Sequence, residues 1–102
     1  MNYEYEKVNI DAVRQTLKPL FDEYKIKKAI LFGSTAKGLN NEKSDIDLVI
    51  DGNLKGLKFF GFLEKASNLF NNDIDLIEQS QIIKGSRMER ELANTGVIIY
   101  GN

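Results

Sequence analysis

The sequence holds no cysteine and no histidine among its 102 residues. Without cysteine there is neither a disulfide nor a thiolate metal site. Without histidine the Ser-His-Asp and Cys-His nucleophile arrangements are excluded, as are histidine-ligated zinc sites. Any metal must be held by oxygen, which points to magnesium, manganese or calcium. An excess of one charge is also missing: 14 basic against 15 acidic side chains leave a formal charge of −1. General nucleic-acid binding needs a basic face that displaces counterions, so this balance argues against it, although a local basic patch stays compatible. No apolar run approaches the roughly 20 residues of a membrane-spanning helix. Met1-Asn2-Tyr3-Glu4-Tyr5-Glu6 lacks the basic-then-apolar layout of a secretory signal, so a cytoplasmic location is expected.

What is present is an ordinary globular composition, 42% apolar, in a length that fits one small domain over residues 1–102. Such a chain has room for one core and not for a separate acceptor domain, so a large acceptor is expected to dock from outside. Ile10, Val13, Leu17, Leu20, Phe21 and Tyr24 recur at helical spacing behind Asn9, a plausible cap. Pro19, the single proline, is expected to kink or split that helix. Ala29 to Phe32 reads as a short buried strand ending at Gly33, and Asp45 to Ile50 as a second, with Ile46, Leu48 and Ile50 on one face. Leu57 to Phe70 carries a broad helical apolar face, and Ile74 to Ile77 reads as a third strand. Ser86 with Glu89 three residues later signals a last helix through about Thr95, closed by Gly96 and followed by the strand Val97 to Tyr100. Strands alternating with helices predict a sheet packed by helices, an α/β or α+β domain.

The chemistry concentrates in carboxylates. Asp45 and Asp47 stand two apart on a predicted strand, so period two places both on one face. Asp75 occupies the same kind of context on the third strand, between Ile74 and Leu76. If the two strands are neighbours, three carboxylates converge, and their repulsion calls for a compensating cation. A pair of divalent ions is the usual arrangement where a phosphoryl oxygen attacks or leaves. An ordinary half-exposed sheet would instead use Asp45 as a strand cap and turn Asp47 and Asp75 to water. The segment upstream decides against that plainer reading. Gly33 permits a tight turn directly after a strand, Ser34 offers a hydroxyl, and backbone N–H groups from Ser34 to Lys37 can face an anion. Lys37 adds charge, and Gly38 ends the segment. A phosphate cradle just ahead of a carboxylate pair makes two halves of one phosphoryl-transfer site.

Gly33-Ser34 after an apolar strand, Ala36-Lys37-Gly38, Ser44-Asp45-Ile46-Asp47-Leu48 and Ile74-Asp75-Leu76 together resemble the polymerase-β-like nucleotidyltransferase superfamily, and within it the minimal nucleotidyltransferases. The resemblance runs from about Tyr24 to Tyr100. It implies a small mixed sheet flanked by helices. It implies that Asp45, Asp47 and Asp75 bind two magnesium ions, that Asp75 helps deprotonate the attacking hydroxyl, and that Gly33, Ser34 and Lys37 contact the triphosphate of ATP. Where the family usually has arginine this chain has Lys37, which keeps the charge and loses the bidentate fork. Asp73 shares a predicted face with Asp75, but only Asp75 has apolar residues on both sides. The minimal members resemble antitoxins encoded beside HEPN-domain toxins, some of which attach AMP to a tyrosine of the toxin. A HEPN toxin is thus the implied partner and acceptor. The competing expectations are an antitoxin that acts by binding alone and a transferase of small molecules.

Three other features read as structural. Phe59, Phe60 and Phe62 are expected to be mostly core. Lys25, Lys27 and Lys28 read as a solvated strand entry, and Lys84, Arg87 and Arg90 as a solvated helix face.

Overall fold

A computed structural model describes residues 10–33, 45–70 and 73–101. In chain order the elements are α1 (Ile10–Glu23), β1 (Lys28–Phe32), β2 (Ile46–Asp51), α2 (Leu57–Asn68), β3 (Ile74–Glu78), a 3-10 turn (Gln79–Gln81), α3 (Arg87–Thr95) and β4 (Val97–Gly101). The four strands form one sheet in the order β3-β2-β1-β4. β1 runs antiparallel to β2 and β4, whereas β2 and β3 run parallel, so the sheet is mixed as expected.

Alternation along the strands sends residues to two different layers. Ala29, Leu31, Ile46, Leu48, Ile50 and Ile99 meet Val13, Leu17, Leu20 and Phe21 of α1 and Phe62 and Ala66 of α2 in the main core. Phe21 stacks on Phe62 with ring centroids 6.0 Å apart, and Tyr24 meets Phe62 edge-on at 5.4 Å. The opposite face buries Ile30, Phe32 and Val49 under Ile77, Ile82 and Leu92, the last of these on α3. A bulge in the β1–β4 pairing matches Ala29 with Tyr100 and Ile30 with Ile98. The extra residue, Ile99, turns into the main core beside Tyr100.

Pro19 does not split α1, which runs unbroken over 14 residues. Pro19 lies on the exposed side. There water can take the carbonyl that the missing N–H leaves behind, while Leu17, Leu20 and Phe21 hold both halves of the helix on the sheet. Of the three phenylalanines, Phe62 is fully buried and Phe59 half-buried, but Phe60 is exposed on the outer side of α2. Lys25 and Lys27 are exposed and Lys28 is half-buried; Lys84, Arg87 and Arg90 are exposed as expected. Asn9 lies outside the described residues.

The capping signature of α3 forms. The Ser86 hydroxyl accepts from the Glu89 N–H at 3.2 Å, while the Glu89 carboxylate accepts from Gly85 N–H at 2.7 Å. Gly96 ends the helix with an ordinary φ of −68°, so left-handed backbone is not what it supplies. A Cβ there would stand 2.9 Å from Ile30 Cγ2 and 2.4 Å from the Leu92 carbonyl oxygen. The missing side chain lets the end of α3 close onto β1. Among the described residues no helix is long and apolar enough to cross a membrane.

Candidate active site

Three adjacent strands bring the site together at one end of the sheet. β1 leads into Gly33, β2 carries Asp47, and β3 carries Asp75. In the register of the sheet Phe32 faces Asp47 across β1–β2, and Asp47 faces Asp75 across β2–β3. Strands β2 and β3 are therefore neighbours, and the repeated Asp-Ile-Asp-Leu segments lie side by side in phase. Asp45 was expected on β2 but stands just before it, exposed at its mouth. Pairing begins at Ile46, opposite Ile74, with Ile46 N–H donating to the Asp73 carbonyl at 2.8 Å. Asp73 thus contributes its backbone to this edge.

Gly33 has a φ of +67°, a region open to glycine and costly for other residues. An ideal Cβ on Gly33 would sit 2.6 Å from Asp47 Oδ2. The carboxylate occupies the space that any side chain at position 33 would need. Glycine is required here twice over, for the turn and for the slot.

Asp47 is half-buried, and its pKa is pushed up to about 6. Burial is the largest cause, followed by the negative charges of Asp75, Asp45 and Glu91. Glu91, on α3, is the residue that sequence reading passes over. Its signal was slight: it adjoins Leu92, which packs on the sheet, and precedes Thr95 by one helical turn. Thr95 was also passed over except as a helix end. Its hydroxyl accepts from the Gly33 N–H at 3.4 Å and donates to the Glu91 carbonyl at 2.8 Å.

Among the described residues the charged groups acting on Asp47 are the carboxylates of Asp75, Asp45 and Glu91, whose oxygens suit a hard divalent cation. Among the described residues no three such groups are drawn together into a ready-made metal cage. Asp47 and Asp75, paired across β2 and β3, would be the side chains to hold such an ion. Ser34 and Lys37 lie outside the described residues.

A buried carboxylate elsewhere on β3 has different work. Glu78, at the far end of β3, is 2% exposed. It accepts from the N–H groups of Gly52 and Leu54, both at 3.2 Å, and of Ser80 at 3.1 Å. Burial raises its pKa, but the backbone donors outweigh that and leave it below the ordinary value. It pins the exit of β2 to the end of β3, away from the Asp47 end.

Comparison with known proteins agrees with this geometry. Two proteins of Methanocaldococcus jannaschii, named as candidate protein adenylyltransferases, are each 35% identical to this chain over 71% of its length. The matches span 86% and 76% of those proteins. Among solved structures, a chain of a toxin-antitoxin crystal structure with AMP-PNP superposes with a TM-score of 0.75 at 19% identity. It covers 87% of this chain and 73% of that one. A chain of the complex between tri-AMPylated Shewanella oneidensis HEPN toxin and MNT antitoxin gives a TM-score of 0.70 at 16% identity, with coverages of 92% and 74%. At these identities the structures speak for the fold. The family described as polymerase beta nucleotidyltransferase matches residues 15–102, and the chain belongs to that family.

Proposed function

We propose that this protein is a metal-dependent nucleotidyltransferase that moves AMP from ATP onto a partner protein, a HEPN-type toxin, and so acts as its antitoxin. The observation that carries the reading is Asp47, set directly opposite Asp75 on parallel strands and seated in the slot left by Gly33. The like charges around Asp47 form a place that favours a cation and an oxygen-rich ligand. The designation of the Methanocaldococcus jannaschii relatives as candidate protein adenylyltransferases supports a protein acceptor. The AMPylated HEPN toxin in complex with an MNT antitoxin, a protein of similar fold, supports the partner.

In the proposed reaction an acceptor hydroxyl attacks the α-phosphorus of ATP. A new P–O bond forms, the bond to the β-phosphate bridge breaks, and pyrophosphate departs. Asp75 takes up the hydroxyl proton, while Asp45 and Asp47 hold the metal side of the site. Magnesium, when bound there with the triphosphate, supplies the positive charge that such a displacement requires. Gly33, lacking a side chain, lets the triphosphate approach closely, and Ser34 and Lys37 after it provide the donors.

The test is to incubate the protein with magnesium, ATP and the protein encoded next to it, then to take the intact mass of both. AMP units on the neighbour, absent with Asp47→Asn, establish the activity. A stable complex without added mass, repeated with the other nucleoside triphosphates, replaces transfer with inhibition by binding alone.

A further inference from the structure

The last turn of α3 supplies two residues to the site from far along the chain. Glu91 brings charge within reach of Asp47. Thr95 is bound to Gly33 across 62 residues of sequence. That hydroxyl is held from both sides: it donates to the Glu91 carbonyl within its own helix and accepts the Gly33 N–H from the turn after β1. Back-bonding to the carbonyl four residues earlier is a favoured rotamer for helical threonine, and the β-branch stiffens it. A fixed rotamer aims the remaining oxygen lone pair at one place.

The surroundings keep α3 where this bond can form. Leu92 sits in the small core with Ile30, Phe32 and Val49, and side-chain-free Gly96 lets the helix end approach Ile30. Gly33 in turn has Asp47 Oδ2 in its side-chain space. From α3 to β2 the chain of contacts runs Glu91 carbonyl, Thr95 hydroxyl, Gly33 N–H, Gly33 Cα, Asp47 carboxylate. Its central member, Gly33, is a residue proposed to contact the triphosphate.

We infer that Thr95 is a positioning residue for nucleotide binding: its hydroxyl takes the Gly33 N–H and fixes Gly33, in whose side-chain space the Asp47 carboxylate sits. The inference rests on the proposed ATP site. It goes beyond that proposal in giving the outer helix a part in binding a nucleoside triphosphate.

The experiment compares wild type with Thr95→Val, which keeps shape and loses both hydrogen bonds, and Thr95→Ser, which keeps them. Affinity for magnesium-ATP is measured by calorimetry, and hydrogen exchange at the Gly33 amide by NMR. Leu92→Val serves as the control, because it loosens α3 without touching Gly33. At 3.4 Å the bond belongs at the weak end of the usual range, so Thr95→Val should weaken ATP binding roughly two- to fivefold. It should also speed exchange at Gly33, and Thr95→Ser should restore both. If Thr95→Val melts earlier but binds ATP as wild type does, Thr95 is structural only and the inference falls. It falls as well if Leu92→Val weakens ATP binding equally, since the effect would then belong to helix docking in general. A wild type that binds no nucleoside triphosphate overturns the proposed function and this inference together.

Discussion

At the scale of single residues, Asp47 shows how a fold can hold a charge at a disadvantage. Its carboxyl has a higher pKa in the native protein than in the unfolded chain, about 6 against 3.8. Native protein therefore binds more protons than unfolded chain between those values, and stability falls as pH rises through that window. Asp47→Asn removes the penalty. Discounted for the solvent that reaches a half-exposed group, the gain is on the order of 1 kcal/mol. Thermal melts without metal or nucleotide at about pH 7.5 should show the variant about 4–8 °C above wild type. Below about pH 3.8, where Asp47 is neutral in both native and unfolded chains, the gap should close. A variant that gains stability while losing all transfer activity is the expected signature of a functional carboxylate. Gly33→Ala is the contrary case. It forces a side chain into the +67° backbone region and into the space of Asp47 Oδ2. The expected loss is about 1–3 kcal/mol, read as a lower melting temperature together with loss of ATP binding.

At the scale of elements, the two ends of β3 behave oppositely toward acid. Glu78 has a native pKa below its ordinary 4.5, so its contribution is complete above that value and is lost as pH falls through the lowered one. Acid thus relieves the Asp47 end and undoes the Glu78 end. Glu78→Gln turns an acceptor-only group into one with an N–H₂ among three backbone donors. A cost of about 1–3 kcal/mol is expected, with faster amide exchange at Gly52 and Leu54 as the direct readout. At α3 the Ser86 cap is separable from the site. Ser86→Ala should cost about 1 kcal/mol in urea unfolding, with ATP affinity unchanged. A fall in ATP affinity with that variant would mean that fraying at the start of α3 reaches Thr95.

At the scale of the whole molecule, the helices divide the work. α1 and α2 bury one face of the sheet and hold most of the core, while α3 covers the other face and borders the carboxylates. Ligand binding at that border should stabilise the native state by mass action. Magnesium-ATP at a hundred times its dissociation constant should add about 2.7 kcal/mol, seen as a rise in melting temperature that neither magnesium nor ATP reproduces alone. The same titration on Asp47→Asn should give a much smaller rise, because the variant begins without the repulsion and lacks one charged donor.

The local record in the sequence was enough for most of the elements, and it nominated the carboxylates. Apolar spacing marks α1 and the strands, Ser86 with Glu89 marks the start of α3, and apolar neighbours single out Asp47 and Asp75. Each of these signals depends on residues within a turn or a pleat of one another, so period and capping chemistry reveal them. Pro19 did not split α1, because packing along the whole length of the helix outweighs one missing hydrogen bond. Only the tertiary structure decided that β2 and β3 are parallel neighbours, which sets Asp47 against Asp75. It alone decided that Asp47 fills the side-chain space of Gly33, and that α3 brings Glu91 and Thr95 to them. The physical reason is range: a hydrogen bond across 62 residues leaves no periodicity behind, and strand order comes from how faces bury against helices, not from any one segment.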